Sequence, residues 1–262
     1  MVGAEEGHVG LEERMVYSSL LSEVEGIAHG FSTRVGGKSL GACSTLNVGA
    51  GVGDRANVVR ENRGLVLEAI GCTNHRWVSV KQVHGAEVVE VTRGASKSIE
   101  ADGVWTRDHG AAVAVTVADC VPVLIADRSG NAVAAVHAGW RGTVAGIAAV
   151  MVERLVDAGF RKEELVVALG PCIGPEAFVV GPEVISLVKE AFPDATVRHL
   201  DGNGRGYVDL WELNHFVLTG AGLGISQIDT VKHCTATSPA FYSYRREGGD
   251  TGRQCGIIAM QG

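Results

Sequence analysis

Apolar and polar positions along this chain follow two periods, and the strand-like one dominates. Two short apolar runs, 121–127 and 132–137, flank Arg128-Ser129-Gly130-Asn131. β-formers on either side of a break carrying Gly and Asn predict a hairpin. A turn centred near Arg128 and Ser129 places Cys120 opposite His137, or within about two positions of it. Residues 111–118 mix small and β-branched side chains and read as a central strand buried on both faces. Further strands are predicted over 77–83, 87–91, 165–169, 207–209, 227–231, 241–245 and 254–260, with a short one near His29 entering the Gly36-Gly37 turn.

Helical spacing recurs in four places. Asp54 is the expected N-cap of a helix over 55–70 that Gly71 stops. Val58, Val59, Asn62, Leu65 and Val66 fit one face of it, and Arg60, Glu61, Arg63 and Glu68 read as solvated. A second helix spans 142–158, with Val144, Ile147, Ala148, Met151 and Leu155 on its apolar face. Pro182 opens a third, to about residue 192, and a fourth runs from about 210 to 218.

Composition narrows the class. Hydrophobic residues make up 46% and charged residues 20% of 262, an ordinary globular balance. The 36 glycines are about twice the usual share and predict many tight turns. A net charge of −7 argues against nucleic acid or an anionic membrane as partner. The longest apolar runs, 111–118 and 144–152, fall short of the ~20 residues a membrane span needs. Residues 1–16 are acidic and polar, with no basic, apolar signal-peptide pattern, and read as a loose leader before one domain over 17–262. Six scattered cysteines without a CxxC exclude a zinc ribbon and give no disulfide framework, so reduced thiols in a cytoplasm are expected.

The candidate chemistry lies at strand ends. His84 ends a strand beside Gly85, and Cys120 and His137 meet at the open end of the hairpin. All three sit in apolar sequence, where an unpartnered imidazole or thiolate is costly. Three His/Cys ligands without a fourth match a zinc site that keeps one position open. The alternative is an inert core thiol with histidines bonded to carbonyls. Asp119 and Gln82, close to the ligands in sequence, are placed to orient water or a substrate edge. Arg34, Arg141, Arg245, Arg246 and Arg253 lie beside glycines or aromatics, which suggests selected anion contacts; ordinary ion pairing is the rival. Cys172, in Gly-Pro-Cys-Ile-Gly-Pro, looks catalytic but has no predicted imidazole partner. A metal-free Cys–His hydrolase and a zinc-stabilised binding module remain open beside a zinc enzyme. Nine scattered histidines with no HxH disfavour a multicopper centre.

Ten segments then carry a resemblance: HGFSTRVGG, LNVG, GDRANVVRENR, KQVHGAEVV, ADGVWT, TVADCVPVLIAD, AVHAGWRGTVAGI, GPCIGP, DLWELN and FYSYRREGGDTGRQ. From about His29 to Met260 the chain resembles the bacterial laccase-domain family, also called multicopper polyphenol oxidoreductases or YfiH-type proteins and since reassigned as purine nucleoside phosphorylases. The resemblance implies an α+β fold, a single four-layer α/β/β/α sandwich with mixed β-sheets, cytoplasmic and monomeric or weakly dimeric. It implies one zinc per chain on His84, Cys120 and His137. It also implies phosphorolysis of adenosine, inosine, guanosine or 5′-methylthioadenosine, with adenosine deamination as a companion. On that reading purine nucleoside and inorganic phosphate are the partners, and Asp119 and Arg141 join the ligands in catalysis. Arg34, Asn47, Gln82, Arg245 and Arg246 bind substrate. Two stretches depart from the family pattern. Phe178-Val179-Val180 stands where Tyr-Glu-Val is usual, removing a carboxylate, and Ala101 to Thr106 is less typical.

Overall fold

The apolar runs on either side of Arg128–Asn131 form adjacent antiparallel strands, β7 (Val121–Asp127) and β8 (Val133–Ala138), in a computed structural model that describes residues 11–95 and 99–261. Pro122 pairs with His137 and Val121 with Ala138. The Asp127 N–H reaches the Ala132 carbonyl at 3.0 Å, and Gly130 takes φ +72°. The turn is therefore centred one residue later than expected, because Gly130 is the residue that tolerates the left-handed backbone. Cys120 ends two positions from direct opposition to His137.

This hairpin is the middle of a six-stranded sheet. Its order is β13 (Ile228–Thr230), β9 (Leu165–Leu169), β7, β8, β5 (Gly103–Thr106), β4 (Val88–Glu90). A five-stranded sheet runs β1 (Met15–Val16), β2 (Ile27–Ser32), β14 (Gln254–Met260), β6 (Ala111–Val117), β3 (Arg76–Val78). Both are mixed: β13–β9, β4–β5 and β3–β6 pair parallel, and the other pairs are antiparallel. A small sheet joins β10 (Val179–Val180), β12 (Gly206–Val208) and β11 (Val197–His199). The α+β class with mixed sheets is thus the observed one.

Central strands are apolar on both faces because each face has a partner. Leu124 and Ala126 of β7, with Val133 and Ala135 of β8, meet Val113 and Val115 of β6 and Ile258 of β14 between the two sheets. The alternate residues Val121, Val123 and Ile125 face the helices α5 (Ile147–Asp157), α6 (Pro182–Ala191) and α7 (Leu210–Gly220). On the other side, Ala112, Ala114 and Ile257 meet Val66 and Leu67 of α3 (Ala56–Ala69). Two shorter helical turns, α1 (Leu11–Arg14) and α2 (Ser19–Ser22), precede it.

Four local expectations are corrected. Arg55, not Asp54, holds the cap position of α3, because the Asp54 carboxylate is taken by Ser39, Asn47 and its own neighbour's N–H. The helix over 142–158 is two, α4 (Trp140–Val144) and α5, broken at Gly146 with φ +75°. The strand expected over 241–245 does not form. Ser243 there caps the turn α8 (Tyr244–Glu247), and the Tyr242 hydroxyl reaches the Cys43 carbonyl at 2.6 Å. The expected leader falls mostly outside the described residues, but Met15 and Val16 pair with Ser32 and Phe31. Among the described residues, no helix is long and apolar enough to cross a membrane.

Candidate metal centre and its cleft

Three connections bring three donors to one end of the sheets: the β3–β4 loop brings His84, the β6–β7 turn Cys120, and the end of β8 His137. One ligating atom from each lies within 4.8 Å of the others. The two imidazole rings stand at 90°, with centroids 4.8 Å apart. Reaching this arrangement bends the backbone. His84 has φ +62° and Asp119, just before Cys120, has φ +90°. Each such residue costs on the order of 1–3 kcal/mol and persists only where its surroundings fix it.

Asp102 fixes the first. Its carboxylate accepts the N–H groups of Val83, His84 and Gly85 at 3.1, 2.9 and 2.7 Å. It also takes His137 Nδ1–H at 2.8 Å, and it is fully buried. That bond leaves His137 Nε2 facing the Cys120 thiol as the nitrogen that can bind a metal, the usual carboxylate–histidine support. Burial alone would raise the Asp102 carboxyl, but His137 and the loop N–H groups outweigh it and hold it below its ordinary range. Asp119 fixes the second bend. Its two oxygens accept Thr235 Oγ1 at 2.6 Å and the Arg245 N–H at 2.7 Å, and its carbonyl accepts the Ile173 N–H. The Cys120 thiol is likewise held down: burial would raise it, and the His137 and His84 imidazoles overcome that. Gly139 stands over the sulfur, where a Cβ would come within 3.0 Å of Cys120 Sγ.

A thiol, two imidazoles and a carboxylate behind one of them form a donor set that fits a zinc ion, with no fourth protein ligand in the cluster. The cluster opens into a cleft of about 800 Å³. One wall is cationic. Arg63 donates to the Val48 carbonyl at 2.9 Å and lies 5.0 Å from the Trp77 ring. Arg253 donates to the carbonyls of Thr251 and Gly252 at 2.7 and 2.8 Å. Neither has a carboxylate partner among the described ion pairs, and burial lowers the pKa of both. Ile173, Phe178 and Trp140 add apolar surface to the lining.

The other expected site residues are distributed unevenly. Gln82 lines the cleft, but its amide is engaged by the backbone N–H and carbonyl of Thr116, both at 2.8 Å. Arg245 is at the rim, donating to the Val179 carbonyl at 2.9 Å. Asn47 is buried behind the wall, where its side-chain Oδ1 accepts the Arg253 N–H at 2.8 Å. Arg34 pairs with Glu247 at 2.6 Å, and Arg246 binds the carbonyls of Thr235, Ser238 and Phe241. Arg141 is exposed over the Trp140 ring, and none of Arg34, Arg141 and Arg246 lines the cleft. Two residues were missed. Arg63, read as solvated, lies four after Val59 and three before Val66, on the buried helix face. Asp102 is an acid set between apolar strand residues, a placement that demands a partner.

Fold and site together define a mixed-sheet α+β protein with a His–Cys–His centre at the sheet ends. The family described as multi-copper polyphenol oxidoreductase laccase matches residues 28–261, and the chain belongs to it. Purine nucleoside phosphorylase YfiH of Shigella flexneri is 38% identical over 89% of this chain and 94% of its own length. A Pseudomonas aeruginosa purine nucleoside phosphorylase is 40% identical over 88% and 92%. Among solved structures, YlmD from Geobacillus stearothermophilus matches with a TM-score of 0.84 at 33% identity, over 91% of this chain and 93% of that one.

Proposed function

We propose that this chain is a zinc-dependent purine nucleoside phosphorylase with adenosine deamination as a companion activity. One observation carries the reading. The His84–Cys120–His137 cluster shares a cleft with two half-buried guanidiniums that have no carboxylate partner among the described ion pairs. Relatives named purine nucleoside phosphorylase at 32–40% identity support the substrate class.

Phosphorolysis joins a phosphate oxygen to C1′ of the ribose while the C1′–N9 bond breaks and the purine leaves with the electron pair. Arg63 and Arg253 would hold the phosphate, and their partial burial strengthens each charge-assisted bond. Of the five arginines read from the sequence as anion contacts, this reading keeps Arg253 for phosphate, adds Arg63 and leaves Arg141 outside the cleft. Phe178 and Trp140 give the flat base apolar surface. His84, Cys120 and His137 would hold zinc, which supplies Lewis acidity and lowers the pKa of water, as deamination requires. Asp119 acts as a positioning residue, since both of its oxygens are already committed.

Copper is disfavoured despite the family's description. Multicopper oxidation needs several centres, and among the described residues only this one group of three or more His/Cys/Asp/Glu could hold a metal. A single preparation tests the reading. Metal analysis should find one zinc per chain, and release of base from inosine or adenosine should depend on phosphate. Cys120→Ala should lose both zinc and activity while remaining folded. Several coppers per chain, or base release indifferent to phosphate, would overturn it.

A further inference from the structure

Cys172 and Cys234 lie outside this machinery and face each other. The loop after β9 and the chain after β13 meet in an isolated parallel bridge with Cys172 and Cys234 as Cα partners. Bridged strands lie roughly 4.8 Å apart. Disulfides span Cα separations of about 4.4–6.8 Å, so the two backbones already stand at disulfide spacing. Both thiols are free.

The pair is asymmetric. Cys234 is partly exposed, and its sulfur lies in a cradle of donors. The Gly174 N–H reaches it at 3.2 Å, joined by the Thr237 hydroxyl and the N–H groups of Thr237 and Ala236. A Cβ at Gly174 would lie 3.3 Å from this sulfur and 3.1 Å from the Cys234 Cβ, so the glycine is what admits the N–H. Burial would raise the Cys234 thiol, but these donors outweigh it and hold it below its ordinary value. Cys172 is the reverse. It is fully buried, it donates to the Ile173 carbonyl, and burial followed by Asp209 pushes its thiol well up. One sulfur is thus accessible and supported as a thiolate, and its neighbour is shielded and protonated.

We propose that Cys234 and Cys172 form a hydroperoxide-reactive dithiol, with Cys234 the attacked thiol and Cys172 the resolving one. The Cys234 thiolate attacks the outer peroxide oxygen. The O–O bond breaks, the other oxygen leaves and is protonated to an alcohol or water, and Cys234 becomes a sulfenic acid. The Cys172 sulfur then attacks that sulfur. The S–S bond forms, and the Cys172 proton leaves with the sulfenic hydroxyl as water. Two thiols are oxidised to a disulfide and one hydroperoxide is reduced. The inference does not depend on the nucleoside reading, although the flanking Ile173 and Thr235 both bond Asp119 beside Cys120.

The test treats the full, zinc-loaded chain with a small excess of hydrogen peroxide, alkylates the remaining thiols and maps peptides by mass. Two of the six thiols should be lost, with two hydrogens, in one peptide pair linking Cys172 to Cys234, and dithiothreitol should restore both. Cys172→Ser should instead accumulate a sulfenic acid on Cys234 that dimedone traps, and Cys234→Ser should keep Cys172 alkylatable under denaturing conditions. Oxidation beginning at Cys120 or another cysteine, or Cys234 passing to sulfinic acid without the disulfide, would overturn the proposal. The unmodified sequence alone decides it, so a variant that folds poorly costs nothing.

Discussion

Asp102 gathers four hydrogen bonds around the centre: three loop N–H groups and His137 Nδ1–H. Asp102→Asn keeps the shape but turns one acceptor oxygen into an NH2 facing donors. Loss of such support typically weakens metal affinity or activity by about 10–100-fold. Competition with a chelator should show zinc affinity falling in that range, and unchanged affinity would make Asp102 a loop brace only. Arg63 gives a second residue-scale prediction. Arg63→Lys keeps the charge and loses the planar fork, so the phosphate KM should rise about tenfold or more. Arg141→Lys should leave it unchanged, and the reverse order would return the anion site to the residue beside Trp140. Cys120 and His137 were legible because they sit at strand ends; His84 was legible from Gly85 beside it, although β3 ends at Val78, short of the strand expected over 77–83, and His84 lies in the loop that follows. Asp102 and Arg63 were not: Arg63 was read as solvated although it is half-buried against Val48 and Trp77, and the sequence offers no sign of the loop N–H groups that the buried Asp102 gathers.

At the scale of elements, the long central strands were legible, whereas the short edge strands and the break between two helices were not. Strands such as Leu165–Leu169 and Gln254–Met260 are bounded by polar or turn residues, so period and limits coincide. The apolar stripe of Val144, Ile147 and Ala148 runs through the break at Gly146 without changing phase, so periodicity shows one helix where the backbone makes two. The short α4 matters for the site because its cap, Gly139, carries the chain past Cys120. Gly139 has φ −71°, which alanine adopts freely, so only space is at stake. A Cβ 3.0 Å from Cys120 Sγ requires the sulfur to move by a few tenths of an ångström. Gly139→Ala should therefore lower zinc affinity while the thermal midpoint of the metal-free protein barely changes. A large fall in that midpoint would assign the glycine to folding instead.

For the whole molecule, one source of acid sensitivity is His29, buried in β2, where Nε2 accepts the Ser18 N–H at 3.0 Å. Burial lowers its pKa to about 4. In the unfolded chain a histidine titrates near 6.5. Below that pH the unfolded state binds a proton that the fold refuses. The contribution is therefore fully present above about pH 6.5 and is lost as pH falls toward 4, at up to about 1.4 kcal/mol per unit. Denaturation at pH 7 and pH 5 should show His29→Gln losing less stability over the interval than the parent, and equal losses would place the acid sensitivity elsewhere.

The inter-sheet core has a consequence for selectivity. His137 and Asp102 ride on the six-stranded sheet, whereas Arg63 and Arg253 are carried by α3 and by the start of β14 on the five-stranded one. The apolar layer between the sheets therefore acts as a spacer gauge between His137 and the two guanidiniums, while His84 and Cys120 sit on connections that pass from one sheet to the other. A molecule is measured by whether it spans that gap. Thinning the layer with Val115→Ala would recalibrate the gauge, altering which substrates fit while each jaw keeps its own grip.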